Sequence, residues 1–298
     1  MTQSNTSRTY RIRDATHEAR RPEPGLYLVA TPIGHLDDTS LRALDTLAGA
    51  DLLACEDTRV TGKLLKRYGI ERRMTAYHEH SGEKAGDALI ETVRNGGSLA
   101  LVSDAGTPLV SDPGYELVRI AIEADVPVFA IPGASAMLTA LAVSGLPSDS
   151  FFFAGFLPSK EKARADRLEA LIRIPGTLVF YEAPHRIATS LAAMHSALGD
   201  RPAAVCRELT KMHETIYRGP LSTLADEFAA METVKGEIVV CVGPPVEEER
   251  PDEADIDGIL SGLLSEMKPA KASQEAARLT GLPRRELYQR ALSLKDKG

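Results

Sequence analysis

From Leu26 onward, short apolar runs alternate with stretches whose apolar residues recur at helical spacing. LYLVAT (26–31) reads as a strand, and DDTSLRALDTLAGA after it sets Leu41, Leu44, Leu47 and Ala48 on one helix face. DLLAC (51–55) predicts a second strand and TRVTGKLLKRYG a helix closed by Gly69. SLALV (98–102) predicts a third strand, YELVRIAIEA a helix and VPVFAI (126–131) a fourth strand. Such alternation predicts an α/β fold with a largely parallel sheet and helices on its faces. A second unit starts near Phe151, with strands expected at FFFAGF (151–156), TLVFYE (177–182), PAAVCRE (202–208), HETIYRG (213–219) and GEIVVCVG (236–243). HETIYRG alternates and lies one turn after PAAVCRE, so antiparallel pairs are expected here. Helices follow at roughly 256–266, 272–280 and 284–294. The expected organisation is a disordered polar tail (1–24), an α/β lobe (25–148), a second α/β lobe (149–244), an acidic linker (245–255) and a helical hairpin domain (256–298).

The 298 residues are 43 % apolar, enough for two cores. No apolar run reaches the ~20 residues of a membrane span and no signal-type apolar segment follows the N-terminus, so a cytoplasmic protein without a membrane partner is expected. Asp14 and Glu18 argue against reading the Arg-bearing tail as a transit peptide. Cys55, Cys206 and Cys241 lie far apart in apolar runs, as buried small hydrophobes do. The net charge of −7 is unevenly spread: residues 245–257 carry −6, residues 268–298 carry +5 and the first 22 residues carry +3. Two basic ends keep a polyanionic partner open.

The segment LVSDAGTPLVSDPGYELV (101–118) holds two glycines, two prolines and a doubled Ser-Asp between apolar runs. Asp112 and Pro113 fit the N-cap and first position of the following helix. Asp104, Gly106, Thr107 and Pro108 precede that cap and are unexplained by it. Loops at the carboxyl ends of strands are where α/β sheets bind ligands, so these residues predict a pocket. IPGASAM (131–137) stands in the equivalent place, with Ser135 and Ala136 opening a helix whose free N–H groups favour an anion. A dinucleotide site is rejected, since Gly34 alone stands where GxGxxG is required, and a Walker A loop is absent. His78 and His80 share one side of YHEH without a third ligand at metal-binding spacing, so no metal is expected. Charged clusters end two strands: Glu182, His185 and Arg186, then Arg207, Glu208 and Lys211. If both open onto one cleft, they are candidates for substrate contact and acid–base work. In the last thirty residues, Ala277, Gly281 and Leu287 fall at helix-turn-helix spacing, with Arg284, Arg285 and Arg290 on the second helix; a basic helical hairpin would look the same.

TPIGHLDD, CEDTR, SDAGTPLVSDPGY, IPGASA, GLPSD, GFLP, FYEAPHR and RELTKMHE, in this order, resemble the ribosomal RNA small-subunit methyltransferase I family of the tetrapyrrole-methylase superfamily. The likeness runs from about Leu26 to the C-terminal hairpin and departs at His35, where the family usually shows Asn. It implies two lobes with S-adenosylmethionine between them, a homodimer, and 2′-O-methylation of one cytidine of 16S rRNA within the 30S subunit, with no DNA partner. It also implies a cofactor site at Pro32, Asp104, Gly106, Thr107, Pro108, Ser135, Ala136, Phe180, Tyr181, Leu209 and Thr210. Arg59, His185, Arg186, Arg207, Arg284 and Arg285 are the residues expected on substrate. A ribose hydroxyl is a poor nucleophile and needs a base, or a cation that lowers its pKa; Lys211, held by Glu208 or Glu182, is the expected cation. Two other readings stay open: a tetrapyrrole methyltransferase, and a ligand-sensing helix-turn-helix regulator.

Overall fold

A computed structural model describes residues 8–78, 81–245, 253–280 and 282–295. The chain divides into two units, Met1–Pro245 and Val246–Gly298.

The first unit opens on an antiparallel hairpin, β1 (Thr9–Ile12) with β2 (Ala15–Glu18). This corrects the expectation of a disordered tail through residue 24. Tyr10 is buried against the first lobe, the Arg11 N–H donates to the Tyr68 carbonyl at 2.7 Å, and Arg8 and Arg21 both bond Asp51. Long-range partners fix a segment whose own apolar content is too low to show a period.

The first lobe is an all-parallel sheet of β3 (Gly25–Val29), β4 (Leu52–Cys55), β5 (Met74–Ala76), β6 (Ser98–Val102) and β7 (Val128–Ile131), ordered β5-β4-β6-β3-β7. Its central strands are apolar on both faces because both are covered. On one side Leu44 and Leu47 of α1 (Leu41–Gly49) pack with Leu64 and Leu65 of α2 (Thr58–Arg67). On the other, Ile90 of α3 (Glu83–Arg94) packs with Leu117 of α4 (Tyr115–Glu123).

α5 (Ala136–Ser144) leaves β7 and covers the second sheet: Ala140 and Leu141 pack on Val179, Cys206, Val239 and Cys241. That sheet is ordered β11-β10-β12-β9-β8, from β8 (Phe151–Phe156), β9 (Thr177–Glu182), β10 (Pro202–Arg207), β11 (Thr215–Pro220) and β12 (Ile238–Val242). β8 and β9 are parallel and the other pairs antiparallel, with Val205 opposite both Tyr217 and Val240. The far face packs Phe180 with Leu168, Leu191 and Phe228 of α6 (Glu161–Glu169), α7 (Ile187–Leu198) and α8 (Leu221–Ala230). Burial pushes the Cys206 thiol up to about 11 and the Cys241 thiol up to about 12, so both remain protonated packing groups.

The second unit holds three helices, α9 (Glu253–Glu266), α10 (Pro269–Thr280) and α11 (Arg284–Lys295), around Ile256, Leu260, Ala276, Leu287 and Ala291. All three helices expected after the acidic linker are present, within three residues of the expected bounds. Arg290, expected on its basic face, is instead half-buried and bonded to Asp257 at 2.6 Å. Gly281 lies outside the described residues.

Candidate active site

The carboxyl ends of the first sheet face the second sheet across a cavity of about 360 Å³. One wall is the 103–114 loop, with Gly106, Thr107, Val110 and Asp112; the start of α5 adds Ser135 and Ala136. The second lobe contributes Phe156, Tyr181, Leu209 and Val239. Apolar walls with a few convergent polar groups are the usual make-up of a small-molecule site.

The 103–114 loop is pinned from below. Thr31 N–H donates to the Gly106 carbonyl at 2.8 Å, Gly106 N–H returns the bond at 3.0 Å, and the Thr107 hydroxyl donates to the Ala134 carbonyl at 3.2 Å. Held this way, Leu109 and Ser111 take left-handed φ values of 74° and 64°. Across the cavity the loop after β10 does the same at Glu208 and Thr210, with φ 54° and 63°. Among the described residues these are four of the six non-glycine positions of positive φ, and such strain gathers at functional sites.

Asp112 is not the helix cap its sequence suggests. α4 begins at Tyr115, and its cap is Gly114, whose φ of 130° turns the chain before the helix starts. Asp112 is therefore left on the cavity wall. Burial raises its carboxyl to about 6; a hydrogen bond with Ser103 opposes the rise, and Glu56 and Asp104 add to it. The glycine following Pro113 was the signal that the cap lay further on.

Lys211 bonds Glu208 at 2.9 Å and Glu237 at 3.0 Å. Burial alone would lower its ammonium; hydrogen bonds to the two carboxylates reverse that and hold it above its usual value. Glu208 is held below the usual carboxylate range by the Glu237 N–H and by Lys211. Gly34 fits against this loop so closely that a Cβ would stand 2.6 Å from both Lys211 Cγ and Thr210 Oγ1 and 2.9 Å from the Leu209 carbonyl. Gly34→Ala is thus expected to displace the 209–211 loop and lower kcat about 100-fold, as a shift near 1 Å does. Steady-state kinetics check it, and an unchanged kcat would show that the loop yields freely.

Glu182 does not support Lys211. Its side chain is fully enclosed, and its Oε1 accepts from Arg186 Nη2 at 2.6 Å and from the Ala183 N–H at 2.7 Å, while Oε2 accepts from the Ser190 hydroxyl. Arg186 is correspondingly engaged with Glu182 and the Leu157 carbonyl. Phe180 is buried in the far-face core, so its ring is also removed from the cavity.

Of the residues expected on the cofactor, Gly106, Thr107, Ser135, Ala136, Tyr181 and Leu209 lie on the cavity wall. Pro32 and Pro108 are buried behind it. Asp104 accepts from the Asp57 N–H at 3.0 Å, and the Thr210 hydroxyl accepts from the His35 N–H at 3.1 Å, so both brace neighbouring loops. Arg59 is exposed and paired with Asp57 at 2.6 Å. His185 is exposed and Arg207 half-buried, and Arg284 and Arg285 are exposed in the first turn of α11. His78 bonds the Ser81 hydroxyl at 2.9 Å, and His80 lies outside the described residues.

A parallel lobe joined through α5 to a mixed second sheet, with the cavity between them, is the architecture of the tetrapyrrole methylases. The family model "Tetrapyrrole (Corrin/Porphyrin) Methylases" matches residues 25–225, and a model for the RsmI C-terminal HTH domain matches residues 250–295. The methyltransferase CobJ superimposes with a TM-score of 0.57 at 18 % identity, covering 74 % of this chain and 94 % of that one. The uroporphyrin-III C-methyltransferase of Thermus thermophilus complexed with S-adenosylhomocysteine does so at 0.51 and 20 %, covering 73 % and 96 %. A ribosomal RNA small subunit methyltransferase I of Mesorhizobium japonicum is 59 % identical over 93 % of this chain and 95 % of its own length. That of Erythrobacter litoralis is 50 % identical over 94 % and 98 %. The chain belongs to the ribosomal RNA small subunit methyltransferase I family.

Proposed function

We propose that this chain transfers a methyl group from S-adenosylmethionine to the 2′-hydroxyl of one cytidine of 16S rRNA, in the 30S subunit. Family membership supports a methyltransferase that uses this cofactor on ribosomal RNA. The observation that carries the ribose reading is Asp112, a carboxylate of raised pKa on the cavity wall. An oxygen nucleophile has to lose a proton near neutral pH, and such a group is the base suited to take it.

The cavity fits the cofactor. The N-terminus of α5 has no side-chain cap, so Ser135 and the first N–H groups of the helix would hold its carboxylate. Ile33, Leu209, Tyr181 and Val239 present the apolar surface an adenine ring requires. When bound, S-adenosylmethionine supplies an electrophilic methyl group on a positively charged leaving group. Asp112 accepts the hydroxyl proton, and Thr107 and the strained loop position the reacting partners. Lys211 is not on the cavity wall; bonded to Glu208 and Glu237, it braces the loop whose Leu209 lines the cavity. Arg59, His185, Arg207, Arg284 and Arg285 would contact phosphates, which position the RNA without reading its sequence.

Among the described residues no helix is long and apolar enough to cross a membrane, and a cytoplasmic location follows from a ribosomal substrate. Phe151 and Phe152 are exposed at the start of the edge strand β8, which supports a homodimer. Light scattering is expected to give the mass of two chains; the mass of one would remove that proposal.

Methyl-labelled S-adenosylmethionine offered with 30S subunits lacking the modification, with protein-free 16S rRNA and with uroporphyrinogen III tests the function. Label is expected in the 16S rRNA of the subunit. Label in the tetrapyrrole alone would overturn the assignment.

A further inference from the structure

Four arginines in and beside the N-terminal hairpin divide into two sets. Arg8 and Arg21 converge on Asp51 at 2.7 and 3.1 Å and fasten the segment to the first sheet. Arg11 and Arg13 instead line a second cavity, of about 400 Å³, together with Lys66 and Arg67 from the last turn of α2. Asp37 is the one acid on its wall and is bonded to Arg67 at 3.1 Å. Arg11, Arg13 and Lys66 are exposed and have no ion-pair partner among the described residues.

Two of these cations have a local reason to be there, since Lys66 and Arg67 complement the C-terminal end of the α2 dipole. That reason does not extend to Arg11 and Arg13, which a separate element brings to the same end. The Arg11 N–H bond to Tyr68 and the burial of Tyr10 hold them there. The hairpin also lies outside both matched family regions, 25–225 and 250–295. An element that gathers unpaired cations against a helix end is suited to a polyanion.

Two segments of the chain run from the cavity's loops to the groove. Ile33 lines the cavity and Asp37, on the same loop, lines the groove. α2 starts beside Asp57, whose N–H bonds Asp104, and reaches Lys66 within its ten residues, about 15 Å. Both segments are short on the scale of a single-stranded RNA of several nucleotides.

We propose that the groove formed by Arg11, Arg13, Lys66 and Arg67 grips the phosphate backbone of the ribosomal RNA flanking the methylated nucleotide. This rests on the rRNA methyltransferase reading above. The contact positions RNA and strengthens its binding without selecting sequence.

Fluorescence anisotropy with a labelled single-stranded RNA from the target region, over a range of salt, tests this on the full chain. The variants are R11A/R13A, K66A and the triple. Removing three phosphate contacts is expected to reduce the slope of log affinity against log salt by about 2 and to weaken binding about tenfold near 0.1 M salt. Cofactor affinity by calorimetry and kcat at saturating 30S subunit should stay unchanged while KM rises. Lys66 is exposed on a helix, so K66A carries the test even if the hairpin variants fail to fold. Unchanged slope and affinity in the folded triple variant would overturn the groove and leave the enzymatic reading intact. Wild-type protein that shows the groove-dependent slope but methylates no rRNA would overturn the enzymatic reading and leave the groove. Tighter binding of inorganic pyrophosphate than of RNA, lost in the triple variant, would assign the groove to a small anion and overturn the RNA proposal.

Discussion

Asp112→Asn is expected to lower kcat by about 10²–10⁴-fold, the range that general acid–base catalysis contributes, while making the folded chain more stable at pH 7. The two effects share one cause. In the folded chain the Asp112 carboxyl titrates at about 6, because burial penalises its charge. An unfolded aspartate titrates near ~3.9. The folded state therefore holds the proton more tightly. This contribution to stability is fully present below pH ~4 and is lost as the pH rises through about 6. At pH 7 the ionised group destabilises the fold by about 3 kcal/mol if fully shielded, and by roughly half that once solvent screening at the open cavity is counted. Asparagine removes the charge and keeps a polar partner for Ser103. The wild-type rate should fall below pH ~6 as the base protonates, and the variant should lose that limb. Denaturant unfolding and a pH–rate profile check both effects. Near-normal kcat together with lower stability would make Asp112 a structural residue.

Glu182→Gln should do the reverse: a large loss of stability with little direct effect on the chemical step. The carboxylate is completely enclosed and bonded to Arg186, Ser190 and the Ala183 N–H. Removing the enclosed carboxylate leaves Arg186, 22 % exposed, without its charged partner, at a cost of about 1.5–3 kcal/mol. The double variant E182Q/R186M, with neither charge, should recover part of that loss. Folded E182Q at low temperature is expected to turn over near the wild-type rate. A large fall in kcat with unchanged unfolding would return Glu182 to the catalytic apparatus.

The contrast between Glu182 and Tyr181 shows what the sequence makes legible here. The apolar runs announced four of the five strands of the first sheet and all five of the second, and the alternation in HETIYRG announced its antiparallel pairing. Within TLVFYE, however, neighbouring side chains point to opposite faces. Val179 and Tyr181 meet α5, while Leu178 and Phe180 enter the far-face core. The dipeptide Phe180–Tyr181 matches a family motif as a unit, yet one ring alone can reach the cavity. Glu182 shares the phase of Phe180 and goes inward too. Motif matching names the segment; strand phase decides which member of it works.

Two other features depended on contacts distant in sequence. The hairpin of residues 9–18 has Tyr10 and Ile12 as its main apolar anchors, too few to show a period, and gains its order from Tyr68 and Asp51. β5 is three residues long and takes its identity from pairing with β4. The loop of residues 103–114 was legible from its composition as the wall of a cavity. The place of Asp112 on the cavity wall was hidden because Asp-Pro is also the signature of a helix start.

Nucleoside analysis of the methylated 16S rRNA tests the central claim most directly. After the reaction with 30S subunits, the RNA is digested and the labelled product separated from the methylated bases. The account predicts a single 2′-O-methylcytidine, seen also as one alkali-resistant dinucleotide, formed by wild-type protein and strongly reduced with D112N. Label on a cytosine ring, with every phosphodiester still cleaved by alkali, would contradict it.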